Sequence, residues 1–138
     1  MKIVINKDKK LSSIQQEFQE VFPFLKIEFY QQAHSKGEGS PKQTMLNNEL
    51  TIAESQNNSL TGTISINGQM QVAELETAFA NTFGLSVQVF RKSSHVWLQT
   101  SATDDWTLAE QNQKGMELEK RNPSDNNIID ASDRHELE

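Results

Sequence analysis

The chain has 138 residues, no cysteine and a formal charge of −6. That length fits one domain with one core, and the missing cysteine excludes disulfides, thiolate metal sites and cysteine nucleophiles. Residues 116–138 carry seven acids and three bases, which leaves twelve acids against ten bases elsewhere, and a body so near neutral lacks the clustered Lys and Arg of a nucleic-acid footprint.

In chain order, KIVIN at 2–6 alternates with period two and puts Ile3 and Ile5 on one face of a strand. Leu11, Ile14, Phe18, Val21 and Phe22 then recur at helical spacing, and Pro23 ends that helix. LKIEF at 25–29 alternates again as a second strand. TISIN at 63–67, the stripe Val72, Leu75, Phe79 and Phe83, the stop at Gly84 and LSVQV at 85–89 repeat the same plan. The offset is 61 residues up to the end of the helix and 60 afterwards, because Phe24 is one extra residue in the first copy. Gln71 and Glu74 weakly echo a capping box at the second helix.

Two βαβ units in tandem predict an α+β, ferredoxin-like fold: a duplicated βαβ with two helices on one face of an antiparallel sheet. Its usual order places strands one and three at the centre, and a parallel βαβ with short helices is the competing arrangement. Residues 32–60 form a long linker, expected to be flexible over 32–43, with a short turn or helix around 45–55. An extra hairpin strand follows the fourth strand, with Ser93-Ser94 as the turn, Val89 opposite Leu98 and Phe90 opposite Trp97. A short helix begins near Trp106, with Thr107 and Glu110 as its capping box. The domain is expected to span 1–115, followed by a disordered acidic tail over 116–138.

Candidate chemistry is sparse. Asp104 and Asp105 are adjacent and read as a helix entry beside the helix dipole. His34, His95 and His135 are scattered, with no metal-ligand spacing around any of them. GEGS at 37–40 lacks the strand, helix and lysine of a phosphate loop. No catalytic, cofactor-binding or metal-binding residue is assigned, and no cofactor is expected.

The remaining feature is an aromatic corner, Phe90 and Trp97, on the sheet face away from the duplicated helices. Residues 101–115 are expected to fold over it, with Trp106 or Leu108 on the two rings. Left bare, the corner is instead a partner or self-association surface. Arg91, Lys92 and His95 make a basic tip beside it. Phe90, Trp97, Trp106, Arg91, Lys92 and His95 are therefore the candidate interaction patch.

FGLSVQVFRKSSHVWLQT and TDDWTLAEQN, with EFQEVFPFLKIEF before them, resemble a family of small uncharacterised bacterial proteins. The resemblance covers residues 1–115 and departs at Ser94, where the family phrase has glycine. It implies shared architecture and carries no assigned activity.

The expectation is a non-catalytic interaction module, not an enzyme. A regulatory small-ligand domain is the alternative, with RNA binding and catalysis behind it. RNA binding through the sheet fails for want of aromatics among Lys2, Val4, Asn6, Thr63, Ser65 and Asn67. No apolar run approaches the roughly 18 residues of a membrane span, so a cytoplasmic protein with no membrane partner is expected.

Overall fold

The computed structural model describes residues 1–31, 39, 44–55, 61–121 and 136–137. The first copy supplies β1 (Lys2–Ile5), α1 (Leu11–Val21), β2 (Leu25–Tyr30) and α2 (Ile52–Ser55). The second supplies β3 (Gly62–Ser65), α3 (Val72–Phe83), β4 (Ser86–Ser93), β5 (Val96–Gln99) and α4 (Leu108–Arg121). A two-residue strand, β6 (Glu136–Leu137), runs parallel to β5.

The α+β architecture expected from the repeat is present, with two βαβ units and an added hairpin and helix. The strand order differs from one sheet with strands one and three at its centre. β1 pairs antiparallel with β3, and β2 pairs antiparallel with β4, in two separate sheets. Residues related by the duplication lie opposite each other: Ile3 faces Ile64 in one ladder and Glu28 faces Gln88 in the other. A pseudo-twofold axis therefore passes through both ladders, and each ladder joins one half of the chain to the other.

The duplication extends beyond the βαβ units. Residues 50–55, LTIAES, and 106–111, WTLAEQ, occupy equivalent places. Thr51 bridges Lys10, and Thr107 bridges Gln71. Leu11 N–H donates to the Leu50 carbonyl at 2.9 Å, and Val72 N–H to that of Trp106 at 3.0 Å. These contacts strap α2 and α4 across the starts of α1 and α3, where helix N–H groups lack intrahelical partners. The short turn or helix expected around 45–55 is present as α2, and residues 44–55 are thus the counterpart of the hairpin strand and final helix. The flexible stretch expected at 32–43 lies almost wholly outside the described residues.

Side chains from both halves meet in one core. Ile3, Ile5, Ile14, Phe18, Ile27, Phe29, Phe79, Phe83, Val89 and Leu108 are fully buried in it. Phe29 meets Phe79 edge-on at 6.2 Å between centroids, a favoured ring geometry. α1 ends before Pro23, and α3 ends at Gly84, whose φ of 66° closes the helix in the left-handed region.

The hairpin turn lies one residue later than expected. Ser93 pairs with Val96, so Ser94 and His95 form the turn, and Ser94 takes a φ of 52°. Arg91 then faces Leu98 and Phe90 faces Gln99. The shift of two in the pairing keeps every side chain on its expected face, since faces alternate with period two.

α4 continues to Arg121, so residues 116–119 and their neighbours through 121 extend the domain past its expected end at 115. Of the rest of the expected tail, Glu136–Leu137 form β6, and 122–135 and 138 lie outside the described residues. α4 docks on Phe24, the extra residue of the first copy. Phe24 N–H donates to Asn112 Oδ1 at 2.9 Å, and its carbonyl accepts the Lys92 N–H at 2.9 Å. Gly115 makes this approach possible: a β-carbon there would lie 2.8 Å from Phe24 Cβ and 3.3 Å from the Lys92 carbonyl oxygen. Alanine in a helix interior ordinarily gains about 1 kcal/mol over glycine. Here the clash is with backbone and a β-carbon that no rotamer change relieves, and overpacking costs about 1–3 kcal/mol. Gly115→Ala should therefore lower stability in urea denaturation rather than raise it.

Candidate functional site

The six residues of the expected patch fall on two faces of β4. Phe90, fully buried, contacts Tyr30, Met45 and Trp97 on one face. Arg91 points the other way, toward α4, and its Nη1 donates to Gln111 Oε1 at 2.9 Å. Trp106 lies on this second side, its ring 5.9 Å from the Arg91 guanidinium. Lys92 reaches Glu119 at 3.6 Å and stands over the Phe24 ring. His95 sits in the turn.

The expected cover of the aromatic corner is therefore corrected. Leu108 is buried in the main core and Trp106 is across the strand from Phe90. Tyr30 and Met45, from β2 and the segment after it, pack on Phe90 instead. The sequence places Met45 in a stretch expected as a short turn or helix, which names no partner for it on the sheet. Met45 bridges Tyr30 as Gln99 pairs with Phe90, but it lies five residues before LTIAES and Gln99 seven before WTLAEQ, so no fixed spacing marks it in the sequence.

The Phe90–Trp97 corner is a polar–aromatic layer in which Phe90 is fully buried and Trp97 partly exposed. Lys26 Nζ lies 5.5 Å from the Phe90 ring centre and 5.2 Å from that of Trp97. The same ammonium is 3.6 Å from Glu28 Oε1. An ammonium held over aromatic faces beside a carboxylate is stabilised from both sides. Glu28, Tyr30, Gln88 and Gln99 are buried in this region. With Phe90 and Arg91 both buried, neither presents a broad surface to a partner.

Buried polar side chains elsewhere complete the backbone. Gln15 and Glu76 occupy the same position in the two repeats. Gln15 Nε2 donates to the Ile27 carbonyl at 2.7 Å, and Glu76 Oε2 accepts the Val89 N–H at 3.2 Å. Each supplies a strand edge with a partner that a neighbouring strand would otherwise provide. The adjacent carboxylates do not converge. Asp105 is exposed, whereas Asp104 is buried and its main-chain carbonyl accepts the Ala73 N–H at 2.8 Å.

The expected capping box is present, and it is duplicated. Thr107 N–H donates to Glu110 Oε1 at 2.9 Å while Glu110 N–H donates to Thr107 Oγ1 at 3.1 Å. Thr51 and Glu54 make the same pair. The backbone N–H of each threonine, followed by its side chain, holds the partner carboxyl below the usual carboxylate range. The loops that follow β1 and β3 are held by the same straps. Ala53 N–H donates to the Lys7 carbonyl and Ala109 N–H to that of Gly68.

Beside Trp106 a groove of about 500 Å³ runs along α4. Trp106, Ala109, Glu110, Gln113, Lys114 and Glu117 line it as one stripe at helical spacing. Among the described residues, no group of three His, Cys, Asp or Glu side chains is placed to hold a metal, and no helix is long and apolar enough to cross a membrane. No family model, curated protein or solved structure matches the chain.

Tyr30, the sole tyrosine of the chain, is buried and reports on this layer. Burial first, and then the charge of Glu28, push its phenol far above the ordinary value. The unfolded chain releases this proton near pH 10, whereas the folded chain retains it. The associated stability is fully present below about pH 10 and is lost as pH rises beyond it. Absorbance at about 295 nm, where phenolate absorbs, should rise only together with loss of folded circular dichroism. A reversible titration near pH 10 in the folded protein would contradict the burial.

Proposed function

We propose that the chain is a non-catalytic interaction module that takes a short partner segment against Trp106 and the outer face of α4. The partly exposed Trp106 ring carries this reading, held from behind by Arg91 and opening onto the groove. Tryptophan anchored in this way is the residue type that most often dominates binding energy.

The break in the duplication supports the same surface. Leu50 stands at the position equivalent to Trp106 and packs against the core. Among the described residues α2 covers four, Ile52–Ser55, whereas α4 runs for fourteen. Among the described residues, the second copy therefore sets a long helix beside an aromatic side chain, where the first copy has leucine. Glu110 and Glu117 outnumber Lys114 along the groove, which favours an apolar anchor flanked by basic residues. The cytoplasm is the compartment this reading assumes, with neither nucleic acid nor membrane as partner.

Selection of peptides from a displayed random library on the full chain tests the proposal. Enriched peptides should carry one large apolar residue with Lys or Arg nearby. Trp106→Ala should weaken their binding at least about tenfold, the effect of losing roughly 1.4 kcal/mol at an anchor. Trp97→Ala should leave it unchanged. Failure to enrich any peptide, or equal binding by Trp106→Ala, overturns the reading.

A further inference from the structure

The pseudo-symmetry is broken at one strand edge, with a consequence for self-association. Met1 and Ile66 exchange main-chain hydrogen bonds in both directions. Pairs alternate in an antiparallel ladder, so Ile3–Ile64 and Ile5–Gly62 are the hydrogen-bonded pairs of β1 and β3. The N–H and C=O groups of Val4, Thr63 and Ser65 therefore point away from the ladder.

On the β1 side this edge is plugged. Lys9 Nζ donates to the Val4 carbonyl at 2.7 Å and is held in place by Glu17. The equivalent positions on the β3 side are Met70 and Ala78, which carry neither the cation nor its anchor. Thr63 and Ser65 are exposed, and among the described residues no hydrogen bond is made to their outward main-chain groups. Lysine on an edge strand is a common guard against edge-to-edge pairing. One half has that guard and the other lacks it.

We infer that the β3 edge is a docking site for a second copy of this chain, pairing antiparallel to its own counterpart about Thr63. Three features of the segment Thr61–Ser65 favour this occupant. It holds no charge, so self-pairing sets no like charges opposite each other. Centred on Thr63, the register places Thr63 against Thr63 and Ser65 against Thr61, each pair joining groups that point outward. On the inner face it sets Ile64 beside Gly62, whose missing side chain leaves room. The result is a continuous four-stranded sheet, β1-β3 of one protomer joined to β3-β1 of its partner. Closed twofold pairing also uses up both open edges and ends the assembly. The contact is distinct from the α4 groove.

Sedimentation equilibrium of the full chain from about 10 μM to about 1 mM, the range of weak complexes, should show a monomer–dimer equilibrium. Thr63→Lys and Thr63→Glu should each be monomeric, because identical charges then oppose across the axis, and their mixture should restore the dimer. Met70→Lys, which supplies the guard seen in the other half, should also give monomer with folded circular dichroism unchanged. Trp106→Ala should dimerise as the wild type does. A wild type that stays monomeric throughout, or folded Thr63→Lys and Met70→Lys variants that still dimerise, overturns the inference.

Discussion

The whole molecule depends on strand pairing between halves. β1 hydrogen-bonds to β3 and β2 to β4, so the first βαβ unit contains no ladder between its own two strands, and neither does the second. A ladder satisfies backbone groups that are costly to bury unpaired. Neither unit therefore supplies these bonds alone, and the core forms where the helices and strands of both converge. The arrangement has the logic of an isologous dimer fused into one chain, with self-related residues meeting on the axis.

This constraint explains where polar side chains are used. A two-stranded and a four-stranded sheet leave edges that helices must cover. Gln15 and Glu76 reach from α1 and α3 to strand backbone, and the Thr51–Glu54 and Thr107–Glu110 boxes start the strapping helices. Arg91 is tied to Gln111, which in turn donates to Thr103. These groups are acids, amides and a guanidinium, the residue types of many active sites. Here their bonds complete secondary structure, and the open surface is left to Trp106 and α4.

The elements themselves were legible because each carries a strong local period. Both helices end where Pro23 and Gly84 place them, and Thr107 caps as its spacing with Glu110 requires. Pairing partners were not legible in the same way. Alternation tells which face a strand buries and not which strand lies beside it. The hairpin shows the same limit: a turn one residue later preserves the faces of Phe90 and Trp97 yet gives both new neighbours. The third part of the repeat was hidden because LTIAES sits among Asn, Gln and Ser, a composition that reads as linker. Its kinship with WTLAEQ rests on one Thr-x-x-Glu box and an apolar residue between. The position of Trp106 was missed for a related reason. Its place is set by the bridge between Gln71 and Thr107, a long-range contact with no local sequence signal.

Pairing between halves also governs the order in which the chain acquires structure. Ile3 meets Ile64, and Ile27 meets Val89, so each ladder closes a loop of about sixty residues before any of its hydrogen bonds form. Loop closure of this kind must be met in entropy before contacts reward it, and it slows folding. During synthesis the first strand and helix emerge with their ladder partner still inside the ribosome. β1 stays unpaired until Gly62–Ser65 follows, and β2 until Ser86–Ser93 does. Lys9, already present beside β1 at that stage, offers Val4 an ammonium partner from the same half. The guard on the first edge is therefore available when the nascent chain is most exposed to other chains, whereas β3 emerges with its partner waiting.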